Sequence, residues 1–167
     1  MPSENNIFIA LGSNLGNREE NLQAALAHFA PHLDIIMHSS VYQTEPWGFK
    51  NQPPFLNQVV RAASALNPLD LLHHLKGIES EMGRQPNFQY GPRCIDLDIL
   101  LYGQTRCQTQ ALTIPHPHIA QRAFVLVPLV EIAPDFIHPV LHKTTSQLLA
   151  AIPADGVAIF QHPEMER

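Results

Sequence analysis

Residues Cys94 to Gly103 read CIDLDILLYG. Ile95, Leu97, Ile99 and Leu101 alternate there with Asp96, Asp98, Leu100 and Tyr102. A period of two predicts a strand with the four aliphatic side chains on one face and both aspartates on the other. Asp96 and Asp98 are then same-face neighbours about 7 Å apart at Cα. Carboxylates that close repel unless a positive group lies between them. Hard cations such as Mg²⁺ bind carboxylate oxygens together with substrate phosphates. The pair by itself fits a solvated strand face as well as a metal site. Gly91, Pro92 and Arg93 lead into the strand and bring a guanidinium beside the carboxylates.

Upstream, Ile7 to Leu11 is an apolar run broken by Gly12-Ser13-Asn14-Leu15-Gly16, which predicts a buried strand ending in a turn. The glycines lack a following Gly-Lys-Ser/Thr, so a phosphate loop is disfavoured and the turn reads as structural. Asn17 as N-cap, Glu20 three residues on, and Leu22, Ala25, Leu26 and Phe29 predict a helix. Asp34 to Thr44 and Phe55 to Ala63 read as second and third strands. Between them, residues 45–54 form a long loop carrying Trp47 and Phe49, either a functional lid or a surface loop with its Trp turned inward. Asn67-Pro68 starts a second helix that carries Leu71, Leu72, Leu75, Ile78, Glu79 and Met82 before Gly83. Glu79 near the end of that apolar stripe opposes the helix dipole. It either has a partner or sits exposed at the stripe's edge.

The order strand, helix, strand, strand, helix, strand predicts an α+β, ferredoxin-like βαββαβ sandwich with helices on one face of an antiparallel sheet. Downstream, Leu112 to Ile114 suggests an extra strand, with helices around Phe124 to Ile132 and Ser146 to Ile152. Residues 1–167 read as one domain with a core over about 7–152 and a flexible polar tail at 161–167. The net charge of -5 opposes nucleic-acid binding, so any anionic ligand needs a local basic cluster. Two cysteines without metal spacing and a polar start, MPSENN, predict a cytoplasmic protein, and the short apolar runs predict no membrane span.

Five blocks carry a family resemblance: Gly12-Ser13-Asn14-Leu15-Gly16, Gly91 through Leu100, Ile114-Pro115-His116-Pro117, Arg122, and Pro128 through Pro134. In that order the chain closely resembles the 6-hydroxymethyl-7,8-dihydropterin pyrophosphokinases of folate biosynthesis. The resemblance implies pyrophosphate transfer from ATP to the pterin hydroxymethyl group, release of AMP, two Mg²⁺ and a monomer. It implies that Asp96 and Asp98 hold the metals and that Arg93 and Arg84 join them as catalytic residues. It further implies that Glu79, Arg93, Ile99, Thr113, His116 and Arg122 bind ATP. Phe55 and Phe124 sandwich the pterin, with Thr44, Pro46 and Asn57 around it; without that context both phenylalanines read as core. No catalytic base is evident.

The chain departs from the family where Arg84 is followed by no second loop arginine before Arg93 and where Ala111 replaces an arginine of some relatives. Fewer positive groups imply weaker ATP binding or slower turnover, and Tyr90 is expected to substitute for the loop Trp. Three other readings remain: a paralogue that binds without turnover, a zinc hydrolase using His116 and His118, and a ferredoxin-like RNA binder, which the acidic balance opposes.

Overall fold

The computed structural model describes residues 4–45, 51–83 and 94–160. Its centre is β1 (Glu4–Ser13), which pairs antiparallel with β4 (Phe55–Ser64) on one side and β5 (Asp96–Tyr102) on the other. Beyond β4 lie β2 (Asp34–His38) and β3 (Tyr42–Thr44), and β8 (Val157–Ile159) pairs with β3. The result is a mixed α/β fold with a six-stranded antiparallel sheet. A separate two-stranded ribbon joins β6 (Cys107–Gln108) to β7 (Thr113–Ile114).

Four α-helices are present among the described residues: α1 (Arg18–Ala27), α2 (Pro68–Glu81), α3 (Ala123–Ile132) and α4 (Thr145–Ala150). The capping chemistry is as expected. Asn17 Oδ1 accepts from Glu20 N at 3.1 Å, and Asn67 Oδ1 accepts from Asp70 N at 2.8 Å. Thr144 and Gln147 form a reciprocal capping box on α4. No helix among the described residues is long and apolar enough to cross a membrane.

Helices lie on both faces of the sheet. Ile7, Ile9 and Leu11 of β1 pack with Leu22 and Ala25 of α1 and Leu71, Leu75 and Ile78 of α2. Phe8 of β1, Val59 of β4 and Leu100 and Leu101 of β5 pack with Val125, Leu126 and Leu129 of α3 and Leu148 of α4. The second face, expected to stay open, is therefore largely covered, because α3 is apolar almost all round.

Three strand readings change. Asp34 to Thr44 is two strands, both pairing with β4. At the break, Ser39 N still donates to Val59 O at 2.9 Å, while Ser39 Oγ accepts from Val59 N at 3.0 Å and Gln58 Nε2 donates to Ser39 O at 2.9 Å, so side chains complete the link to β4. Thr113 and Ile114 join the ribbon with β6 rather than the main sheet. Finally, β5 alternates only as far as Ile99. Opposite the step from Phe8 to Ile9, the register jumps from Leu101 to Ile99, leaving Leu100 as a bulge. Beyond it the faces exchange. Leu101 joins the α3 core, and Tyr102 turns to the other side, where its hydroxyl donates to Leu66 O.

Candidate active site

Among the described residues, the second face carries a cleft of about 750 Å³, counting its open mouth, at the end of the sheet beside the start of α3. Its floor is Ala10 and Gly12 of β1. Gly12 is paired with Asp96 on one side and Asn57 on the other, and Ala10 is paired with Asp98 and Val59. Neighbouring strands lie about 4.8 Å apart, so the carboxylate row and the Asn57 row face each other across about 10 Å. Small residues between them keep the floor low. A Cβ on Gly12 would meet Asn57 Oδ1 at 3.1 Å.

On the β5 side, Asp96 and Asp98 both line the cleft, as the period-two reading requires. Burial raises the Asp98 pKa to about 7, with the charges of Asp96 and Glu79 adding to the effect and those of Lys76 and Arg122 opposing it. His116 and Arg122 close this side. The backbone N of His116 donates to the O of Leu100, the bulged residue, at 2.9 Å. Its Nδ1 accepts from His118 N at 3.2 Å, which puts the ring proton on Nε2. Burial, then the charges of Arg122 and His118, lower the His116 pKa to about 4, so the ring is neutral at pH 7.

On the β4 side, Phe55 and Phe124 line the cleft with Thr44, Glu45, Asn57 and Gln58. Asn57 Nδ2 donates to Thr44 Oγ1 at 2.6 Å, which orients the amide. The Arg122 guanidinium lies 5.6 Å from the Phe124 ring centroid and joins the two halves of the site.

Eight expected residues meet in this cleft: Thr44, Phe55, Asn57, Asp96, Asp98, His116, Arg122 and Phe124. Ile99 is instead buried in the α1 and α2 core, Thr113 is half-buried in β7, and Glu79 is buried on α2. Arg84, Arg93, Pro46, Trp47, Tyr90 and the 161–167 tail lie outside the described residues.

Sequence reasoning missed Asn14. Its Nδ2 donates to Gln52 Oε1 at 2.8 Å and to Pro53 O at 3.0 Å, and Arg18 Nη1 donates to Pro54 O at 3.0 Å. The turn read as merely structural thus holds the approach to Phe55. A buried Asn in a tight turn was the available signal, but its distant partner was not visible.

No group of three or more His, Cys, Asp or Glu residues able to hold a metal ion occurs among the described residues. The half-buried pair of hard oxygen donors, Asp96 and Asp98, suits Mg²⁺, which takes few protein ligands and completes its shell with phosphate and water.

A cleft with paired carboxylates on one wall and two aromatic rings on the other defines a small-molecule-handling α/β enzyme. The family model described as 7,8-dihydro-6-hydroxymethylpterin-pyrophosphokinase (HPPK) matches residues 8–134. The 2-amino-4-hydroxy-6-hydroxymethyldihydropteridine pyrophosphokinase of Aquifex aeolicus is 42% identical over 82% of this chain and 86% of its own length. The protein of the same name from Pseudomonas aeruginosa is 42% identical over 90% of this chain and 94% of its length. The folic acid synthesis protein fol1 of Schizosaccharomyces pombe is 39% identical over 92% of this chain, which spans only 21% of that longer protein. A crystal structure of Plasmodium falciparum HPPK-DHPS with pterin and p-hydroxybenzoate shares the fold, with a TM-score of 0.72 over 90% of this chain and 42% of that one, at 18% identity. The chain belongs to the 7,8-dihydro-6-hydroxymethylpterin-pyrophosphokinase family and is a diphosphotransferase.

Proposed function

We propose that this chain transfers pyrophosphate from ATP to the hydroxymethyl group of 6-hydroxymethyl-7,8-dihydropterin, releasing AMP, with Mg²⁺. The observation that carries this reading is the Asp96–Gly12–Asn57 row, which sets an acidic wall and an aromatic wall on opposite sides of one low floor.

On this reading the pterin ring stacks between Phe55 and Phe124, with its polar edge at Asn57 and Thr44 and with Pro46 in the adjoining loop. The triphosphate lies toward Asp96 and Asp98. Arg122, the Nε2–H of His116, and Arg93 and Arg84 supply donors to its oxygens. Thr113 is taken as a nucleotide contact, while Ile99, in the α1 and α2 core, and Glu79, buried on α2, act on the nucleotide side only from behind β5. Asp96 and Asp98 would hold two Mg²⁺, which neutralise phosphate charge when bound. The pterin hydroxyl oxygen bonds to the β-phosphorus, the bond from that phosphorus to the α–β bridging oxygen breaks, and its electron pair leaves with AMP. The hydroxyl proton passes to water. The residues align the two oxygens in line and keep bulk water out, which is the larger part of phosphoryl-transfer catalysis.

The same reading takes the core as ferredoxin-like. The strand order β5-β1-β4, with β2 and β3 sharing the far side of β4, supports it. It also takes the protein as a cytoplasmic monomer. Free thiols at Cys94 and Cys107 support a reducing compartment, and family likeness supports the monomer.

The test is AMP release from ATP and Mg²⁺, with and without the pterin, for wild type and Asp98→Ala. Pterin-dependent AMP that vanishes in the variant is expected. Its absence from folded wild type would overturn the assignment.

A further inference from the structure

Among the described residues β5 ends the sheet order, with β1 as its one neighbouring strand in that sheet. Backbone groups turned away from β1 need other partners. The Leu97 N–H, between Asp96 and Asp98, has one: it donates to Glu79 Oε2 at 2.8 Å. Glu79 is 2% exposed, and its Oε1 lies 3.2 Å from Lys76 Nζ, one turn back on α2.

A third carboxylate buried beside two others is costly. Its charge makes Asp98 harder to ionise, and an apolar residue would suit the α2 stripe better. What the carboxylate supplies is a strong, charge-assisted acceptor for one backbone amide. That amide matters because side chains alternate along a strand. Leu97 points into the α1 and α2 core, where it is buried, and its N–H is held by Glu79. With both fixed, the residues on either side of Leu97 are forced onto the opposite face, into the cleft.

We propose that Glu79 is a positioning residue for the carboxylate platform: by holding the Leu97 amide it sets the pleat of β5 and so aims Asp96 and Asp98, with Lys76 as the counter-ion that lets a buried carboxylate do this. The inference rests on the reading of Asp96 and Asp98 as cation ligands. It gives Glu79 work done through the strand rather than by touching nucleotide.

The experiment compares Glu79→Gln, Glu79→Leu and Lys76→Met by two readouts that need no turnover. One is amide hydrogen exchange at Leu97 in the metal-free protein. The other is Mn²⁺ binding, followed by electron paramagnetic resonance in the presence of a non-hydrolysable ATP analogue. Support from outside the ligand shell typically governs metal affinity by about 10- to 100-fold, so Glu79→Leu is expected to raise the Mn²⁺ Kd roughly tenfold or more, with faster exchange at Leu97. Glu79→Gln keeps an acceptor oxygen and is expected to stay within about threefold of wild type in both. Fluorescence titration with pterin should not move in either variant.

Wild-type exchange and Mn²⁺ affinity in Glu79→Leu would overturn the proposal. So would a Glu79→Gln variant as impaired in Mn²⁺ binding as Glu79→Leu while Leu97 stays protected, because charge and not position would then be what matters. If Glu79→Leu does not fold, Lys76→Met decides: faster exchange at Leu97 with weaker Mn²⁺ binding supports the proposal, and no change in either overturns it. A chain that shows these effects but releases no AMP would sink the proposed transfer and leave the positioning role intact.

Discussion

The Tyr42 phenol donates to Glu131 Oε1 at 2.6 Å and ties β3 to α3 across 89 positions of sequence. Ser40 adds its N–H, at 3.1 Å to each carboxylate oxygen, and its Oγ, at 3.0 Å from Oε2. Glu131 shares α3 with Phe124, while the strand Tyr42 belongs to pairs Thr44 with Phe55 and Tyr42 with Asn57. The bond therefore links the helix that carries one aromatic ring of the cleft to the strand paired beside the other. Tyr42→Phe is expected to cost about 1–2 kcal/mol of stability and to weaken pterin binding more than binding of an ATP analogue. Chemical denaturation and two separate ligand titrations check this.

The same contact has a pH signature. Partial burial pulls the Glu131 pKa upward, but hydrogen bonds from Tyr42 and Ser40 outweigh it and hold the carboxyl below its ordinary value. A depressed carboxyl contributes stability above its unfolded pKa and loses it as pH falls through the folded one. Wild type should thus exceed Glu131→Gln in stability at neutral pH, with the gap closing below about pH 4.5. Burial and Glu131 push the Tyr42 phenol up to about 12, so a further loss is expected in alkali, as pH rises from about 10, where the unfolded phenol ionises, to about 12. Denaturant midpoints across that range test both limbs.

Asp98→Asn should move two properties in opposite directions. Removing one charge from this crowded, half-buried acidic pair is expected to stabilise the metal-free protein by ~1–3 kcal/mol at pH 8. Mn²⁺ binding should fall to background. A variant that loses stability along with metal binding would contradict this account of the pair.

Gly12→Ala places a methyl against the Asn57 amide, whose other end is bonded to Thr44. One disturbed buried hydrogen bond corresponds to about tenfold in pterin Kd, with binding of an ATP analogue held near wild type. Calorimetric titration of each ligand distinguishes the two halves of the cleft.

Asn14→Ala removes the amide under Gln52 and Pro53. The expected outcome is a several-fold rise in the pterin KM with kcat little changed, since the approach to Phe55 loosens while the carboxylates stay in place. A fall in kcat alone would place Asn14 elsewhere in the cycle.

Local chemistry was legible in the sequence, and long-range partnership was not. The caps at Asn17 and Asn67 could be read because a cap and its acceptor lie within one turn of chain. Asp96 and Asp98 could be placed on one face because polar and apolar residues alternate there. Ile99 to Tyr102 carries no such contrast, so the bulge at Leu100 left no trace in the pattern. The break at Ser39 depends on Val59 and Gln58, about twenty positions away, and β8 exists only because β3 offers it an edge. Glu79 could be recognised as anomalous on its apolar stripe, but its partner Leu97 is eighteen positions downstream.

The bulge at Leu100 divides β5 into two stretches with separate obligations. Before it, Asp96 and Asp98 answer to whatever enters the cleft. After it, Leu101 answers to packing against α3, and Tyr102 to the other core and to Leu66. The irregularity absorbs the mismatch between them, so substitutions past Leu100 can drift with the hydrophobic interior without re-aiming the aspartates, and an engineer could redesign the strand's tail while leaving its chemistry alone.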